Sequence, residues 1–191
     1  MLGRQAKILS DDNIRDLLAF AHHTRYPVRN RVIVLLSVKA GLRAREIANL
    51  SWAMVTDPTG AIADVVAVED RIAKKRSGRR VPVHRELRDA LITLRATRHE
   101  SPSVIRSERG GAMTAASIVN WFGSAYRAIG LVGCSSHSGR RTFVTRAARV
   151  AHTAGGSLRD VQLLAGHRSI ETTQRYIDGD SDAQRRLVAL I

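Results

Sequence analysis

Apolar residues recur at helical spacing along most of this chain. Ser10 is followed by two aspartates, a favourable start for a helix, and Ile14, Leu17 and Ala21 then repeat every three or four positions. Further stretches with this spacing lie at 29–40, 44–52, 85–98, 114–129, 139–150 and 157–166. The pattern predicts a mainly helical chain.

Residues 57–83 depart from this pattern. A run rich in valine and isoleucine covers 62–72, and a second short β-type run covers 80–83. The basic loop 73–79 joins them and contains a glycine, as expected for a β-hairpin. Pro82 favours an edge position, because proline cannot donate to a neighbouring strand. We therefore expect one α+β domain over residues 1–191, mainly α with a small antiparallel β-sheet.

The predicted core spans residues 9–180. Its last part contains His167 and Tyr176, nine positions apart. Gly166 is expected to end one helix and Ser169 to cap the next. Tyr176 would then lie two turns into that second helix, on the same face as Thr172. A tyrosine in such a basic, polar segment is either a half-buried packing residue or a nucleophile.

The net charge of the chain indicates which kind of molecule it binds. The 191 residues include 31 Lys and Arg against 17 Asp and Glu, a net charge of +14. This excess favours a polyanionic partner, because cations that replace condensed counterions on phosphates gain affinity. General solubility is the alternative that charge alone does not exclude. The single cysteine, Cys134, rules out an internal disulfide and is expected to be a packing residue. We find no signal peptide and no apolar run of the ~20 residues that span a bilayer, so we expect a cytoplasmic protein.

Six polar side chains lie at helix junctions or in the basic loop, where each alone has an ordinary explanation as a solvated, capping or packing residue. Together they supply a hydroxyl nucleophile, two guanidiniums for phosphate oxygens and a proton donor for a leaving oxygen, as phosphodiester transesterification requires. We see no carboxylate cluster for Mg²⁺, and we expect no metal and no cofactor. The candidate catalytic residues are Arg43, Lys74, His137, Arg140, His167 and Tyr176.

Four segments that contain these residues resemble the catalytic domain of tyrosine recombinases, the phage-integrase family. They occur in the family's order and cover nearly the whole chain. They are Ala40–Leu50 around Arg43, Lys74 with the later Arg80–Val83, His137–Phe143, and Leu164–His167 with Tyr176. The resemblance implies the DNA breaking-rejoining catalytic fold.

The resemblance also implies the chemistry. Tyr176 would attack the scissile phosphate, form a 3′-phosphotyrosyl link and free a 5′-hydroxyl. Arg43 and Arg140 would hold the phosphate oxygens, and Lys74 would protonate the 5′-oxygen. Because Lys75 adjoins Lys74, a shift of one residue in the loop alignment would transfer this role.

The remaining assignments are supporting ones. His137 would assist proton transfer at the tyrosine, and His167 would hydrogen-bond the phosphate. Glu46 lies three residues after Arg43 and is expected to brace it by a charge-assisted hydrogen bond. The residues expected to contact DNA are Lys75, Arg76, Arg79 and Arg141.

The resemblance further implies double-stranded DNA as partner, a homotetramer on paired DNA sites, accessory DNA-bending proteins and a nucleoid-associated location, without a membrane. The first family segment begins at position 40, so we expect this sequence to lack the DNA-clamping domain that precedes it in most members. The chain resembles short stand-alone recombinases or is a fragment. The tail 181–191 either packs on its own domain or docks on a neighbouring protomer.

Two other functions are compatible with this fold. One is a non-catalytic DNA-binding regulator, which would have no need for Tyr176. The other is DNA relaxation of the type IB topoisomerase kind, which shares the chemistry but fits the length and the segments less well. The sequence therefore favours a site-specific DNA recombinase.

Overall fold

The computed structural model describes residues 6–74, 76–97, 101–176, 185, 188–189 and 191. Lys75 and most of the tail 181–191 lie outside these residues. Within them the chain forms eight α-helices, one short 3-10 turn and two strands. The elements are α1 (Asp11–His22), α2 (Pro27–Val38), α3 (Ala44–Ala48), the 3-10 turn (Trp52–Met54), β1 (Val65–Val68), β2 (Arg79–Pro82), α4 (Arg85–Ala96), α5 (Ala115–Ala128), α6 (Ser138–Val150), α7 (Leu158–Ala165) and α8 (Ile170–Gln174). The predicted fold class, mainly α with a small antiparallel sheet, is confirmed.

Helix α2 lies at the centre of the fold. Its residues from Val32 to Leu36 are all fully buried, because a helix that is apolar on every side has no face for solvent. It packs against α1, α4 and α6. Since α6 carries the His137–Phe143 segment, this packing fixes that segment to the main core. None of the described helices is long and apolar enough to cross a bilayer.

Local capping follows the sequence closely. The side chain of Ser10 accepts a hydrogen bond from the Asn13 amide at 3.1 Å, and the Asn13 side chain accepts one from the Ser10 amide at 3.1 Å. At the start of α7, the Ser157 amide donates to Asp160 Oδ2 at 2.8 Å. Both helices therefore begin where the sequence predicts.

The hairpin is shorter than predicted. Strands β1 and β2 are antiparallel and pair from Val65 opposite Pro82 to Val68 opposite Arg79. Ile72, expected at the end of the first strand, instead lies in the connecting loop and is buried. Its apolar side chain packs in the core, which does not require a strand partner. The sequence rich in valine and isoleucine therefore continues beyond the residues that pair in the sheet.

One other expectation needs correction. The stretch 44–52 is not one helix, because α3 ends at Ala48 and the short 3-10 turn follows. Residues 101–112 form no helix, and part of this segment is buried. Val104 is 2% exposed, and its amide donates to Leu50 O at 2.9 Å. These residues fill the core beside the 3-10 turn.

Gly41 follows α2 at a position that a side chain would disturb in two ways. Its φ is 64°, and an added Cβ would lie 2.4 Å from Phe143 Cδ1. Gly130 has a similar φ of 72° with open space around it. We expect Gly130→Ala to cost about 1 kcal/mol of unfolding free energy from left-handed strain alone. Gly41→Ala should cost about 1–3 kcal/mol more, because the ring must move within a packed region. Urea unfolding of both variants measures the difference, and equal losses would contradict the close approach.

Candidate active site

A buried carboxylate joins α3 to the hairpin. Glu46 Oε1 accepts from Arg43 Nη1 at 2.7 Å, and Glu46 Oε2 accepts from the Arg43 amide at 2.9 Å. The predicted brace between these residues is therefore present. Burial alone would raise the pKa of Glu46, but the hydrogen bonds and charges of Arg79 and Arg43 lower that pKa to about 2.

Arg79 is the second partner of this carboxylate. Its Nη1 and Nη2 donate to the two oxygens of Glu46 at 3.0 and 2.9 Å, and its Nε donates to Leu164 O at 2.8 Å. The Arg79 side chain is only 3% exposed. This arrangement does not support the expected DNA contact by Arg79, because the guanidinium faces inward to a buried carboxylate that needs a bonded counter-charge.

Arg140 lies in the first turn of α6, and backbone carbonyls of two other segments hold its guanidinium. Nη1 donates to Gly41 O at 2.6 Å, and Nη2 donates to Ala165 O at 2.6 Å. The residue is 3% exposed. Burial, together with the charges of Arg43 and Arg79, lowers the pKa of Arg140 to about 10, so it stays cationic at neutral pH. Its Nε and one Nη1 hydrogen are not used in these bonds and can serve an anion.

His167 follows the left-handed Gly166 that ends α7. Its Nε2 lies 3.0 Å from Arg140 Nη2, and its Nδ1 lies 3.0 Å from Thr173 Oγ1. A guanidinium has only donors, so Nε2 must accept and Nδ1 carries the proton toward Thr173. Burial first, then the charges of Arg140, Arg43 and Arg79, lowers the pKa of His167 to about 4. The imidazole is therefore neutral at neutral pH. In this arrangement, a hydrogen bond from Nε2 to a phosphate requires Nε2 to leave Arg140.

Tyr176 stacks on this histidine, with ring centroids 5.3 Å apart. The helix before it is shorter than predicted, because α8 spans only Ile170–Gln174 and Tyr176 lies in the turn that follows. Its amide donates to Thr173 O at 3.0 Å, and Thr145 Oγ1 of α6 donates to its carbonyl at 3.3 Å. The backbone at the tyrosine is thus tied to α6 as well as to α8.

Tyr176 lines a pocket of about 380 Å³ together with residues from the start of α6. The other lining residues are Ala6, Ser135, His137, Arg140, Arg141, Thr172 and Arg175. Four of these eight side chains carry guanidinium or imidazole groups. The pocket is therefore suited to an anion next to the phenol.

His137 lines the pocket, whereas Lys74 is not among its lining residues. His137 occupies the N-cap position of α6 and is exposed. Desolvation and the charges of Arg140, Arg43 and Lys74 lower the pKa of His137. Lys74 is exposed on the hairpin loop, where Ser77 Oγ donates to its carbonyl at 2.8 Å. The pocket thus brings together His137, Arg140 and Tyr176, and His167 contacts Arg140 directly. Arg43 and Lys74 act on the group through their charges without lining the pocket.

Three other residues are expected to contact DNA, and the structure describes two of them, Arg76 and Arg141. Arg76 is exposed and has a left-handed φ of 51° in the hairpin loop, while Arg141 is half-buried at the pocket. DNA contact by both remains a prediction, and Lys75 lies outside the described residues. Cys134 is half-buried and packs against the main core, as expected.

Two residues in the site escaped the sequence analysis. Thr173 is fully buried and holds His167 Nδ1. Arg175 lines the pocket beside Tyr176. Only the i, i+6 spacing from histidine to threonine could have suggested the first contact, and that spacing spans a helix break. A polar residue fully buried in a short helix is the structural sign that it serves a partner.

The depressed pKa of His167 predicts acid-sensitive stability. As pH falls below 6.5, the unfolded chain takes up a proton that the native chain accepts only near its pKa of about 4. The stability is fully present above pH ~6.5 and should fall toward pH ~4, by at most about 3 kcal/mol from this group. Urea unfolding at several pH values should show a clearly smaller pH slope for His167→Gln than for the native chain. The exposed His152→Gln should keep the native slope, and an unchanged slope in His167→Gln would refute the assignment.

Comparison with known proteins agrees with this geometry. The model of the phage integrase family matches residues 7–182. The tyrosine recombinase XerC of Myxococcus xanthus is 32% identical over an alignment of 162 residues that covers 78% of this chain and 50% of XerC. The chain thus spans about half the length of this curated relative.

Solved structures show the same fold. The XerA recombinase superposes with a TM-score of 0.76 at 24% identity, covering 96% of this chain and 64% of XerA. A lambda integrase dimer bound to a COC′ core site superposes with a TM-score of 0.70 at 18% identity, covering 90% of this chain and 48% of the integrase chain. The likeness covers nearly all of this chain and part of each larger protein.

Proposed function

Because the chain belongs to the phage integrase family, we propose that it is a tyrosine-type site-specific DNA recombinase that cuts and rejoins DNA strands through a 3′-phosphotyrosyl intermediate. The observation that carries the proposal is the pocket in which Tyr176 adjoins His137 and Arg140. The net charge of +14 supports double-stranded DNA as the substrate.

In the first step, the Tyr176 oxygen attacks the scissile phosphorus. The Tyr–O–P bond forms as the bond from phosphorus to the 5′-oxygen breaks. The phenolic proton passes to His137, which is neutral at neutral pH because its pKa is lowered. Lys74 gives a proton to the departing 5′-oxygen. In the second step a 5′-hydroxyl of another strand attacks the phosphotyrosine, the same bonds exchange in reverse, and no external energy source is needed.

The guanidiniums of Arg43 and Arg140 stabilise the charge that builds on the non-bridging oxygens. Arg140 is suited to this because two backbone carbonyls fix it before the substrate binds. In the free protein His167 Nε2 accepts from Arg140 Nη2, and Nδ1 carries the proton. When the anion enters, the imidazole proton would move from Nδ1 to Nε2, and Thr173 Oγ1 would donate to Nδ1 in its place. Nε2–H would then donate to the phosphate, which adds one donor to the site.

The recombinase would act as a homotetramer on two paired DNA sites in the cytoplasm, at the nucleoid, with accessory DNA-bending proteins as further partners. Strand exchange between two duplexes needs four cuts, and each protomer contributes one nucleophile. The tail 181–191 would dock on a neighbouring protomer and link the four sites. Removing this tail should abolish strand exchange in a tetramer while leaving single-site DNA binding intact.

Trapping the covalent intermediate tests the proposal. The chain is incubated with a library of nicked duplexes. After cleavage, the short fragment that carries the freed 5′-hydroxyl diffuses away, and its loss prevents religation. A DNA-linked protein band should form, the linked peptide should contain Tyr176, and sequencing the trapped DNA should yield a defined site. Absence of any adduct would favour the non-catalytic DNA-binding regulator. Adducts without sequence preference, together with relaxation of site-free supercoiled DNA, would favour the topoisomerase.

A further inference from the structure

Arg79 has no role in the chemistry proposed above, yet it is among the most thoroughly bonded side chains near the site. It makes two hydrogen bonds to Glu46 and one to Leu164 O. These bonds join three segments: β2, which carries Arg79, α3, which carries Glu46, and α7, which carries Leu164. Such a side chain is buried at the cost of desolvating a charge, which a solvent-facing DNA contact would not require.

The bonds of Arg79 reach the two segments that carry Arg43 and His167. Glu46 also accepts hydrogen bonds from the side chain and from the backbone amide of Arg43. Leu164 lies at the end of α7, three residues before His167. An added Cβ on Gly166 would lie 2.9 Å from Arg79 Cδ, so the arginine packs directly under the turn that presents His167.

The hairpin is anchored by the same residue. The loop that carries Lys74 begins at the buried Ile72 and Ala73 and ends at Arg79, the first residue of β2. The chain is thus fixed on both sides of Lys74 while Lys74 itself stays exposed.

We propose that Arg79 is a positioning residue for the recombination reaction: through Glu46 and Leu164 it holds Arg43, His167 and the Lys74 loop in one arrangement around the scissile phosphate. The inference rests on the proposed recombinase function. Arg79 touches neither substrate nor reacting atoms. Its effect reaches the phosphate mainly through Glu46, since that carboxylate is the group it shares with Arg43.

Arg79→Met tests this role, because methionine fills similar space without the charge or the three donors. We expect single-turnover cleavage at saturating nicked DNA to slow about 100-fold, while the Kd for DNA changes less than about 3-fold. Arg79→Lys keeps the charge but lacks the fork, and should slow cleavage about 10-fold. Arg80→Met removes the same charge from the next, exposed position and should cleave within about 2-fold of the native rate.

A mutant cycle separates positioning from a general effect on the fold. If Arg79 acts through Glu46, Arg79→Met should cost less than about 3-fold in a Glu46→Gln background, against about 100-fold in the native one. Equal costs in both backgrounds, or cleavage by Arg79→Met matching Arg80→Met, would overturn the proposal. Rates are normalised to the folded fraction from circular dichroism, and Arg79→Lys provides the comparison where the methionine variant is unstable. If the native chain itself forms no adduct, the recombinase function fails, which is a different outcome from an unchanged Arg79 variant.

Discussion

Tyr176→Phe is expected to lose at least about 10⁴-fold in covalent adduct formation, the largest effect of any single substitution in this protein. The variant removes one oxygen and retains the ring that stacks on His167 at 5.3 Å. The pocket, the guanidiniums and the basic surface stay in place. Affinity for DNA should therefore remain within about 2-fold, and the loss should appear only in the chemical step. The adduct is measured by the slower band of the DNA-linked protein in denaturing gels.

A second tyrosine provides the control. Tyr126 is buried in α5 and stacks on Phe122 with ring centroids 5.8 Å apart, in the main core. Tyr126→Phe removes a phenolic oxygen that does not line the pocket and should leave the adduct rate unchanged. An adduct that persists in Tyr176→Phe at the native rate would mean that another group is the nucleophile.

Arg140→Met is expected to have the second largest effect, a fall of roughly 10³-fold in cleavage rate at saturating DNA. The guanidinium supplies charge to the phosphate oxygens, and methionine supplies none. The substitution also strips Gly41 O and Ala165 O of their donor, which should lower the unfolding free energy by about 1–3 kcal/mol. Cleavage is therefore measured well below the melting temperature, beside urea unfolding of the same sample.

Arg149→Met at the other end of α6 is the matched control for the loss of one cation. Arg149 is exposed in the last turn of that helix, away from the residues that line the pocket. It should cleave DNA at nearly the native rate. If Arg140→Met lowers only the stability, and the folded fraction cleaves normally, Arg140 does not hold the phosphate.

The parts of the fold that the sequence predicted depend on near neighbours along the chain. Ser10 with Asn13 and Ser157 with Asp160 are capping pairs three residues apart, so both helix starts were readable. Helix α2 was readable because a continuous apolar run has no alternative to burial. The extent of β1 could not be predicted, because a valine-rich sequence looks the same in a paired strand and in a loop that the core buries.

The contacts in the site that the sequence predicted are likewise those between near neighbours along the chain. The bond between Arg43 and Glu46 was predicted because it closes over one turn. The bond between Arg79 and Glu46 spans 33 positions of sequence, so nothing local distinguished this arginine from its exposed neighbours in the basic loop. The length of α8 was overestimated: the helix ends at Gln174, and the carbonyl of Tyr176 in the following turn accepts from Thr145 of α6. Long-range partners, which only the tertiary fold supplies, account for each of these errors.

The proposed nucleophile does not belong to the main core. Val144, Val161 and Ala165 form a separate small cluster of buried apolar residues, and Tyr176 packs against it. Little apolar surface therefore holds α7 and α8 down, whereas α2 is embedded in the main core. Opening this part costs less free energy than unfolding the whole domain, because that cost scales with the apolar surface exposed. The hydrogen bonds from Arg79 and Arg140 to the end of α7, more than apolar packing, therefore hold the segment that leads to the tyrosine against the rest of the domain.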